Sequence, residues 1–215
     1  MSRLFVQVLL ALLLVGCDGG TDSEPTEVGN LISVFGVDGP MAGADVAIYR
    51  LEDYLEDPAA AVDRLKESET TDPQTGLADN LELALDAGLG PFIVIITANN
   101  DTIDLSTGHA PEIREVRTIV ESLPPSDVRI YATPLTTAAV AIASHGQTVA
   151  VDVLENLFGD EAVAQNVVKA FFGFGMDEEM DIFSIPPILD ENARSKPDQE
   201  AVAYYRGALE ALSAV

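Results

Sequence analysis

The stretch VDGPMAGADVAIY, residues 37–49, decides the fold class. It opens on Asp38-Gly39-Pro40, a turn signal, because glycine and proline interrupt regular structure. Apolar and polar residues then alternate through residues 44–51, with Val46 and Ile48 on one side of the chain. Alternation with a period of two is typical of a half-buried strand. The stretch therefore predicts a tight turn leading into a strand.

Further strand patterns lie on both sides of this stretch. Residues 30–37 are largely apolar, residues 81–85 alternate leucine with other residues, and residues 128–131 alternate again. Residues 92–96 are five consecutive apolar residues, mostly β-branched, which favours a central strand covered on both faces. Short strands separated by turns predict an antiparallel β-sandwich over residues 29–132.

Three of these segments resemble carboxypeptidase regulatory-like, immunoglobulin-like domains of bacterial proteins. Residues 37–49 are similar to the family's first strand pair, residues 70–76 (TTDPQTG) to its hairpin, and residues 90–96 (GPFIVII) to a later strand. The resemblance implies an immunoglobulin/transthyretin-like β-sandwich and implies nothing about activity. Gly43 and Gly76 are expected to supply turn conformations that residues with a Cβ resist.

The connection after residue 51 is longer than is usual in that family. Residues 58–67 are rich in good helix formers, and Pro58 suits the first position of a helix. We therefore expect a helical insertion there. It is either a protrusion that binds a partner or a tolerated surface elaboration.

A helical domain is expected over residues 133–215, because the hydrophobic period changes. Thr133 is a suitable cap and Pro134 a suitable first residue for a helix to about Ser144. A second helix is predicted around Val153 and should end at Gly159. The segment from Ala132 to Ala139 resembles the junction that follows the immunoglobulin-like domain in lipidated proteobacterial proteins. The fold class is therefore α+β, with the sandwich followed by a small C-terminal helical bundle.

Two more helices complete this prediction. Asp160 is expected to cap one helix, whose buried face should contain Val163, Val167, Val168 and Phe171. Pro197 is expected to open the last helix, with a face formed by Val202, Tyr205, Leu209 and Leu212. The intervening residues 173–196 contain two glycines and two adjacent prolines, which predicts irregular structure with a short helix or two.

The N-terminus has the pattern of a lipoprotein signal peptide over residues 1–16. Arg3 is followed by a short apolar run, which is too short to cross a bilayer comfortably. The run ends in Leu14-Val15-Gly16-Cys17, which resembles the bacterial lipobox, where the cysteine is lipidated and becomes the new N-terminus. The alternative is an ordinary secretory signal with an incidental cysteine. The lipobox reading predicts lipidation of Cys17.

Residues 17–28 (CDGGTDSEPTEV) are polar and acidic, as expected of a flexible tether. The sequence thus predicts a membrane-anchored lipoprotein of the bacterial cell envelope, on the outer membrane or on the periplasmic face. Asp18 resembles an inner-membrane retention signal of enterobacteria. The sequence therefore does not decide between anchoring in the inner membrane and anchoring in the outer membrane.

Composition excludes several functions. The chain has 215 residues, 11 Lys and Arg against 36 Asp and Glu, and a formal net charge of −25. Such a chain repels phosphate backbones, so a nucleic-acid partner is not expected. A single cysteine cannot form an internal disulfide or a cysteine-rich metal site.

Motifs of common enzymes do not occur in the sequence. His145 follows Ser144 directly, but adjacent residues on a helix point apart and do not form a nucleophile–base pair. We expect His145 to be a solvent-facing histidine near a helix C-terminus, where its charged form interacts favourably with the helix dipole. His109 is expected in a loop beside Pro111.

Calcium is the better chemical candidate, because oxygen ligands in loops suit a hard cation. One acidic cluster contains Asn99, Asn100, Asp101 and Asp104, and another contains Asp177, Glu178, Glu179 and Asp181. Neither cluster has EF-hand spacing. With so many acids in the chain, a solvated acidic face is the usual explanation of such clusters. The candidate calcium ligands are Asp101, Asp104, Asp177, Glu179 and Asp181.

These observations favour a non-enzymatic, lipid-anchored envelope protein that presents a binding or scaffolding surface. Its expected contacts are the membrane, through the N-terminal lipid, and an envelope protein or a glycan; no cofactor is expected. One alternative is a calcium- or carbohydrate-binding module, because sandwich loops often carry such sites. Another alternative is an envelope hydrolase.

Overall fold

The computed structural model describes residues 30–37, 39–57, 66–83, 90–122, 129–188 and 195–213, which form a mixed α+β fold. The strands are β1 (Asn30–Gly36), β2 (Met41–Ala42), β3 (Asp45–Arg50), β4 (Lys66–Thr70), β5 (Leu77–Leu83), β6 (Phe92–Thr97), β7 (Ile103–Asp104), β8 (Glu115–Val120) and β9 (Arg129–Ala132). The helices are α1 (Leu51–Glu56), α2 (Pro134–Ser144), α3 (Ala150–Phe158), α4 (Val163–Phe172) and α5 (Lys196–Ser213).

The strands form three sheets. A four-stranded sheet has the order β4-β3-β6-β8 and is antiparallel throughout. A three-stranded sheet has the order β5-β1-β9, in which β1 pairs antiparallel with β5 and parallel with β9. β2 and β7 form a small antiparallel pair. The strands expected around residues 30–37, 44–51, 81–85, 92–96 and 128–131 are thus confirmed.

Strand β6 is buried on both faces, as its run of apolar residues predicts. Phe92, Val94 and Ile96 belong to a cluster shared with β1, β5 and β9, which we call the inter-sheet cluster. Ile93 and Ile95 belong to a second cluster, shared with the helices, which we call the sheet–helix cluster. Since successive side chains of a strand point to opposite faces, the four-stranded sheet has one cluster on each face.

The helices pack on the sheet through their apolar faces. α2 contributes Leu135, Ala139 and Val140 to the sheet–helix cluster, where they join Phe35 of β1 and Tyr131 of β9. Both larger sheets and the helices therefore contribute side chains to the sheet–helix cluster. Val153 and Leu157 of α3 are fully buried in the same cluster.

The boundaries of α2, α3 and α5 agree closely with those predicted from the sequence. α2 runs from Pro134 to Ser144 with Thr133 as its cap, and α3 ends at Phe158 before Gly159. α5 begins one residue before Pro197, and the buried Val202, Tyr205 and Leu209 form its inner face. The segment 173–188 is irregular, as its glycines and prolines predict, but it contains turns and none of the short helices expected there.

The turn glycines also take their expected conformations. Gly43 and Gly76 have φ values of 73° and 72°. These lie in the left-handed region, which costs glycine little and costs residues with a Cβ more.

The prediction for α4 is wrong in two respects. Its cap position is Ala162, not Asp160, and no side chain caps it. Its buried residues are Ala164, Gln165 and Val168, whereas the expected core residues Val163 and Phe171 are exposed. Gln165 occupies the buried face because its side chain is hydrogen-bonded to Leu157 O and Ile182 N.

Three strands were not expected, one of them the two-residue strand β7. β8 pairs with β6 along its whole length, and β4 pairs with β3 although its sequence KESET has no apolar residue. The helical insertion expected over 58–67 lies mainly outside the described residues. Its last two residues, Lys66 and Glu67, belong to β4 rather than to a helix.

Candidate functional site

Three large aromatic side chains are exposed where α4 ends. Phe171, Phe172 and Phe174 expose 74%, 37% and 58% of their surface, and we call them the aromatic patch. The rings of Phe171 and Phe172 have centroids 6.4 Å apart. Single exposed apolar residues are normal on a protein surface, but three phenylalanines within four residues indicate an interaction site.

The backbone at the end of α4 holds the patch outward. Gly173 is the C-cap of the helix, and its N–H donates to Lys169 O at 2.9 Å. Phe174 then has a φ of 44°, a left-handed conformation that is rare for a bulky residue. Such strained positions concentrate at functional sites. The patch therefore results from the fold of this turn, and is not the frayed end of a helix.

A groove of about 500 Å³ lies against the last two turns of α4, and its lining residues do not include the three phenylalanines. It is lined by Asn166, Lys169, Ala170, Met176, Glu178 and Glu179. Met176 is buried, whereas both glutamates are exposed. The groove therefore combines an apolar side, continuous with α4, and an acidic side.

Lys169 fixes the acidic side of the groove. Its Nζ donates to the carbonyl oxygens of Glu178 and Met180, the second at 2.8 Å. Burial lowers the pKa of Lys169, and the nearby carboxylates of Asp181, Asp177 and Glu178 oppose this effect. An ammonium group thus stands at the centre of the acidic loop 177–181.

Gln165 holds the following part of the loop. Its Nε2 donates to Leu157 O at 2.9 Å, and its Oε1 accepts from Ile182 N at 3.1 Å. The hydroxyl of Tyr205 in α5 donates to Ile182 O at 2.9 Å and shares a hydrogen bond of 2.8 Å with Thr133 Oγ1. Loop 173–188 is therefore anchored to α3, α4 and α5, which preorganises the groove.

The carboxylates expected to bind calcium in this loop stabilise turns. Asp177 Oδ1 accepts from Glu179 N at 2.9 Å, and Asp181 Oδ1 accepts from Phe183 N at 3.0 Å. These are local side-chain-to-backbone bonds of the kind that shape tight turns. Asp177 and Glu179 are exposed and Asp181 is half-buried.

The other acidic cluster is organised in the same way. Asp104 is buried, and its carboxylate accepts from Ser106 N and Ser106 Oγ, both at 2.7 Å, and from Thr107 Oγ1 at 3.1 Å. A Cβ on Gly39 would lie 1.8 Å from Asp104 Oδ1, so Gly39 packs directly on this carboxylate. Asp101 is exposed, and its N–H donates to Asn99 Oδ1 at 2.9 Å.

Within the ranges that the structure describes, no three His, Cys, Asp or Glu side chains are grouped in a way that could hold a metal ion. Calcium binding stays a prediction. His145 is the exposed C-cap of α2, and His109 is exposed in a loop where its carbonyl accepts from Asp104 N at 2.8 Å. The two histidines thus lie at the surface positions expected of them.

Sequence reasoning did not identify the aromatic patch, since it placed Phe171 in the core. The available signal was the pentapeptide Phe171-Phe172-Gly173-Phe174-Gly175, in which glycines alternate with aromatic residues after a helix. Cys17, the expected lipidation site, lies outside the described residues, as do the rest of the signal peptide and the tether.

No protein-family model, curated protein or solved structure matches the chain. Among the helices of the described residues, none combines the length and the apolar character needed to cross a bilayer.

Proposed function

We propose that the chain is a non-enzymatic, lipid-anchored protein of the bacterial cell envelope that binds a partner through the aromatic patch and the adjoining groove. The exposure of the three phenylalanines carries the binding half of the proposal. The lipobox-like sequence that ends at Cys17 carries the anchoring half.

The anchoring half follows from the chemistry of the N-terminus. Cys17 is the only cysteine in the chain and therefore the only side chain that can take a thioether-linked lipid. Two or three acyl chains, each contributing about 0.8 kcal/mol per buried CH₂, would hold the protein stably on a membrane. A flexible tether over residues 17–28 would separate the folded part from the lipid by about 20 Å on average.

The binding half is supported by the rigidity of the face. The patch follows a helix cap, and the adjoining loop is bonded to α4 and α5 by Lys169, Gln165 and Tyr205. A preorganised surface loses little conformational entropy when it binds. It therefore suits recognition better than the exposed ends of α1 or α3.

For the fold, we propose that the two larger sheets form an immunoglobulin-like β-sandwich, with the helices packed on the outer face of the four-stranded sheet. The inter-sheet cluster supports this arrangement, since it contains Ile32 and Leu81 from one sheet and Val46 and Val94 from the other. The sandwich would serve as the rigid support for the helical binding face.

The anchoring half is tested with a Cys17→Ser variant of the full chain, expressed in a Gram-negative bacterium in the presence of radiolabelled palmitate. The wild type should take up label and sediment with membranes, whereas the variant should be unlabelled and remain unprocessed or soluble. An Asp18→Asn variant is the matched control, since it keeps the thiol and should still be labelled. Equal labelling of the wild type and the Cys17→Ser variant would refute the anchor.

A further inference from the structure

We propose that the aromatic patch and its acidic rim, formed by Asp177, Glu178 and Glu179, bind a basic and apolar segment of a partner protein. Such a segment carries lysine or arginine next to leucine, methionine or aromatic residues. This inference rests on the proposed function and specifies the chemistry of the partner.

The apolar half of the recognition comes from the patch and the groove. Phe171 and Phe174 are both more than half exposed, and Ala170 and Met176, which line the groove, lie within two residues of them in the chain. Burying such side chains against apolar side chains of a partner removes them from water, which is the main driving force of association. Aromatic residues are enriched at the centres of protein interfaces for this reason.

The charged half comes from the rim. The side chains of Asp177, Glu178 and Glu179 are exposed, and they follow the patch by only three to five residues. Lys169 directs its ammonium group to the backbone carbonyls of Glu178 and Met180. The carboxylates of Asp177 and Glu178 also lie near this ammonium group, but three carboxylates against one ammonium leave the rim negative, so it attracts cations that a ligand brings.

The charge of the whole chain argues for a basic partner over the other possible occupants. With a net charge of −25, two copies of the chain repel each other, and anionic lipid headgroups repel it as well. A basic segment is attracted by the same field, which raises its rate of association. Among these occupants, a basic and apolar protein segment alone satisfies the patch and the field together.

The probe is a short fluorescent peptide of alternating lysine and leucine, with a glutamate and leucine peptide of equal length as its control. Binding is measured to the full chain in phosphatidylcholine nanodiscs, and the signal from empty nanodiscs is subtracted. We expect the wild type to bind the basic peptide and not the acidic one. The affinity should fall as the salt concentration rises, because screening weakens the charged contacts.

Two double variants test the aromatic patch and the acidic rim separately. Phe171→Ser with Phe174→Ser, and Glu178→Gln with Glu179→Gln, should each weaken binding of the basic peptide by about tenfold. The matched controls are Val151→Ser with Tyr204→Ser, which are exposed apolar residues elsewhere, and Glu52→Gln with Glu56→Gln, which are exposed acids of α1. Both control pairs should bind within about twofold of the wild type. Circular dichroism establishes that each variant is folded.

The inference is overturned if the wild type fails to bind the basic peptide, if the acidic peptide binds equally well, or if the variants of the patch and rim bind like the controls. It is also overturned if the phenylalanine substitutions abolish a dimer, or release the chain from vesicles, without changing the peptide affinity. Palmitate labelling of the same variants separates the two proposals. A labelled chain that fails the peptide test overturns this inference alone, whereas an unlabelled wild type overturns the anchor.

Discussion

At the residue scale, the sequence Thr133-Pro134-Leu135-Thr136-Thr137 joins a helix to the edge of a sheet. Thr133 Oγ1 accepts from Thr136 N at 3.1 Å, and Thr133 N donates to Thr136 Oγ1 at 2.8 Å, which forms a reciprocal cap. Thr136 Oγ1 also donates to Arg117 O at 2.7 Å, and Arg117 N donates to Thr137 Oγ1 at 2.7 Å. The same threonines therefore begin α2 and satisfy backbone groups of the edge strand β8.

Thr136→Val is expected to lower the free energy of unfolding by about 2–3 kcal/mol, because it keeps the shape of the side chain but removes the bond that Thr133 N makes in the reciprocal cap and the bond to Arg117 O. Urea denaturation followed by circular dichroism measures the change. Thr148→Val, at an exposed position after the same helix, should change stability by no more than about 0.5 kcal/mol. Equal stabilities of the two variants would contradict the role given to Thr136.

Tyr205 links stability to alkaline pH. Burial raises the pKa of its phenol well above the usual value of about 10, so the folded chain keeps a proton that the unfolded chain loses. The raised pKa therefore stabilises the folded state fully below about pH 10, and this stabilisation decreases as the pH rises further.

Tyr205→Phe should therefore show a smaller loss of stability between about pH 9 and about pH 11 than the wild type. The measurement is urea denaturation over that range. Burial also raises the pKa of Tyr54, so the free energy of unfolding of both proteins keeps some dependence on pH from this residue. Parallel pH profiles would show that Tyr205 ionises in the folded chain.

At the element scale, the sequence predicted the elements whose burial depends on their own pattern. β6 is a continuous apolar run and α2 carries its own cap, so both were expected where they lie. β4 was not, because it has no apolar residue and is defined by its backbone pairing with β3. The face of α4 was misplaced since a polar residue, Gln165, is buried by a distant loop. Periodicity contains no signal for such a contact.

The corrected face of α4 predicts that the same substitution has a large effect at one position and a small effect at another. Val168 is fully buried, whereas Val163 exposes 46% of its surface. Val168→Ala should lower the free energy of unfolding by about 2 kcal/mol, from lost apolar burial and a small cavity, and Val163→Ala by less than about 0.5 kcal/mol. Thermal denaturation of both variants decides between this face and the one that periodicity suggested, for which the two losses would be equal.

At the scale of the whole molecule, the two hydrophobic clusters stabilise a body whose surface is strongly acidic. The four-stranded sheet has a cluster on each face, and the helices cover one of them. The exposure of the aromatic patch was not predicted, because phenylalanines near the end of a helix normally indicate core. Their exposure depends on the glycine cap and on the loop that Gln165 and Lys169 hold in place.

Self-repulsion of the acidic surface should make stability depend on salt. Raising the ionic strength from about 0.01 M to about 0.15 M shortens the screening length from about 30 Å to about 8 Å. Since the folded state is the more compact, the Tm should rise by roughly 5 °C over this range. Scanning calorimetry measures the shift, and sucrose at equal osmolality is the control without screening. A Tm that is constant or falls would show that repulsion is unimportant.

Intact-mass analysis of the wild-type protein, purified from membranes, is the decisive test of the membrane anchor. We expect a chain that begins at Cys17 and is heavier than residues 17–215 by the mass of its acyl groups. A chain that retains residues 1–16, or one with a free thiol on Cys17, would contradict the membrane anchor and the envelope function that depends on it.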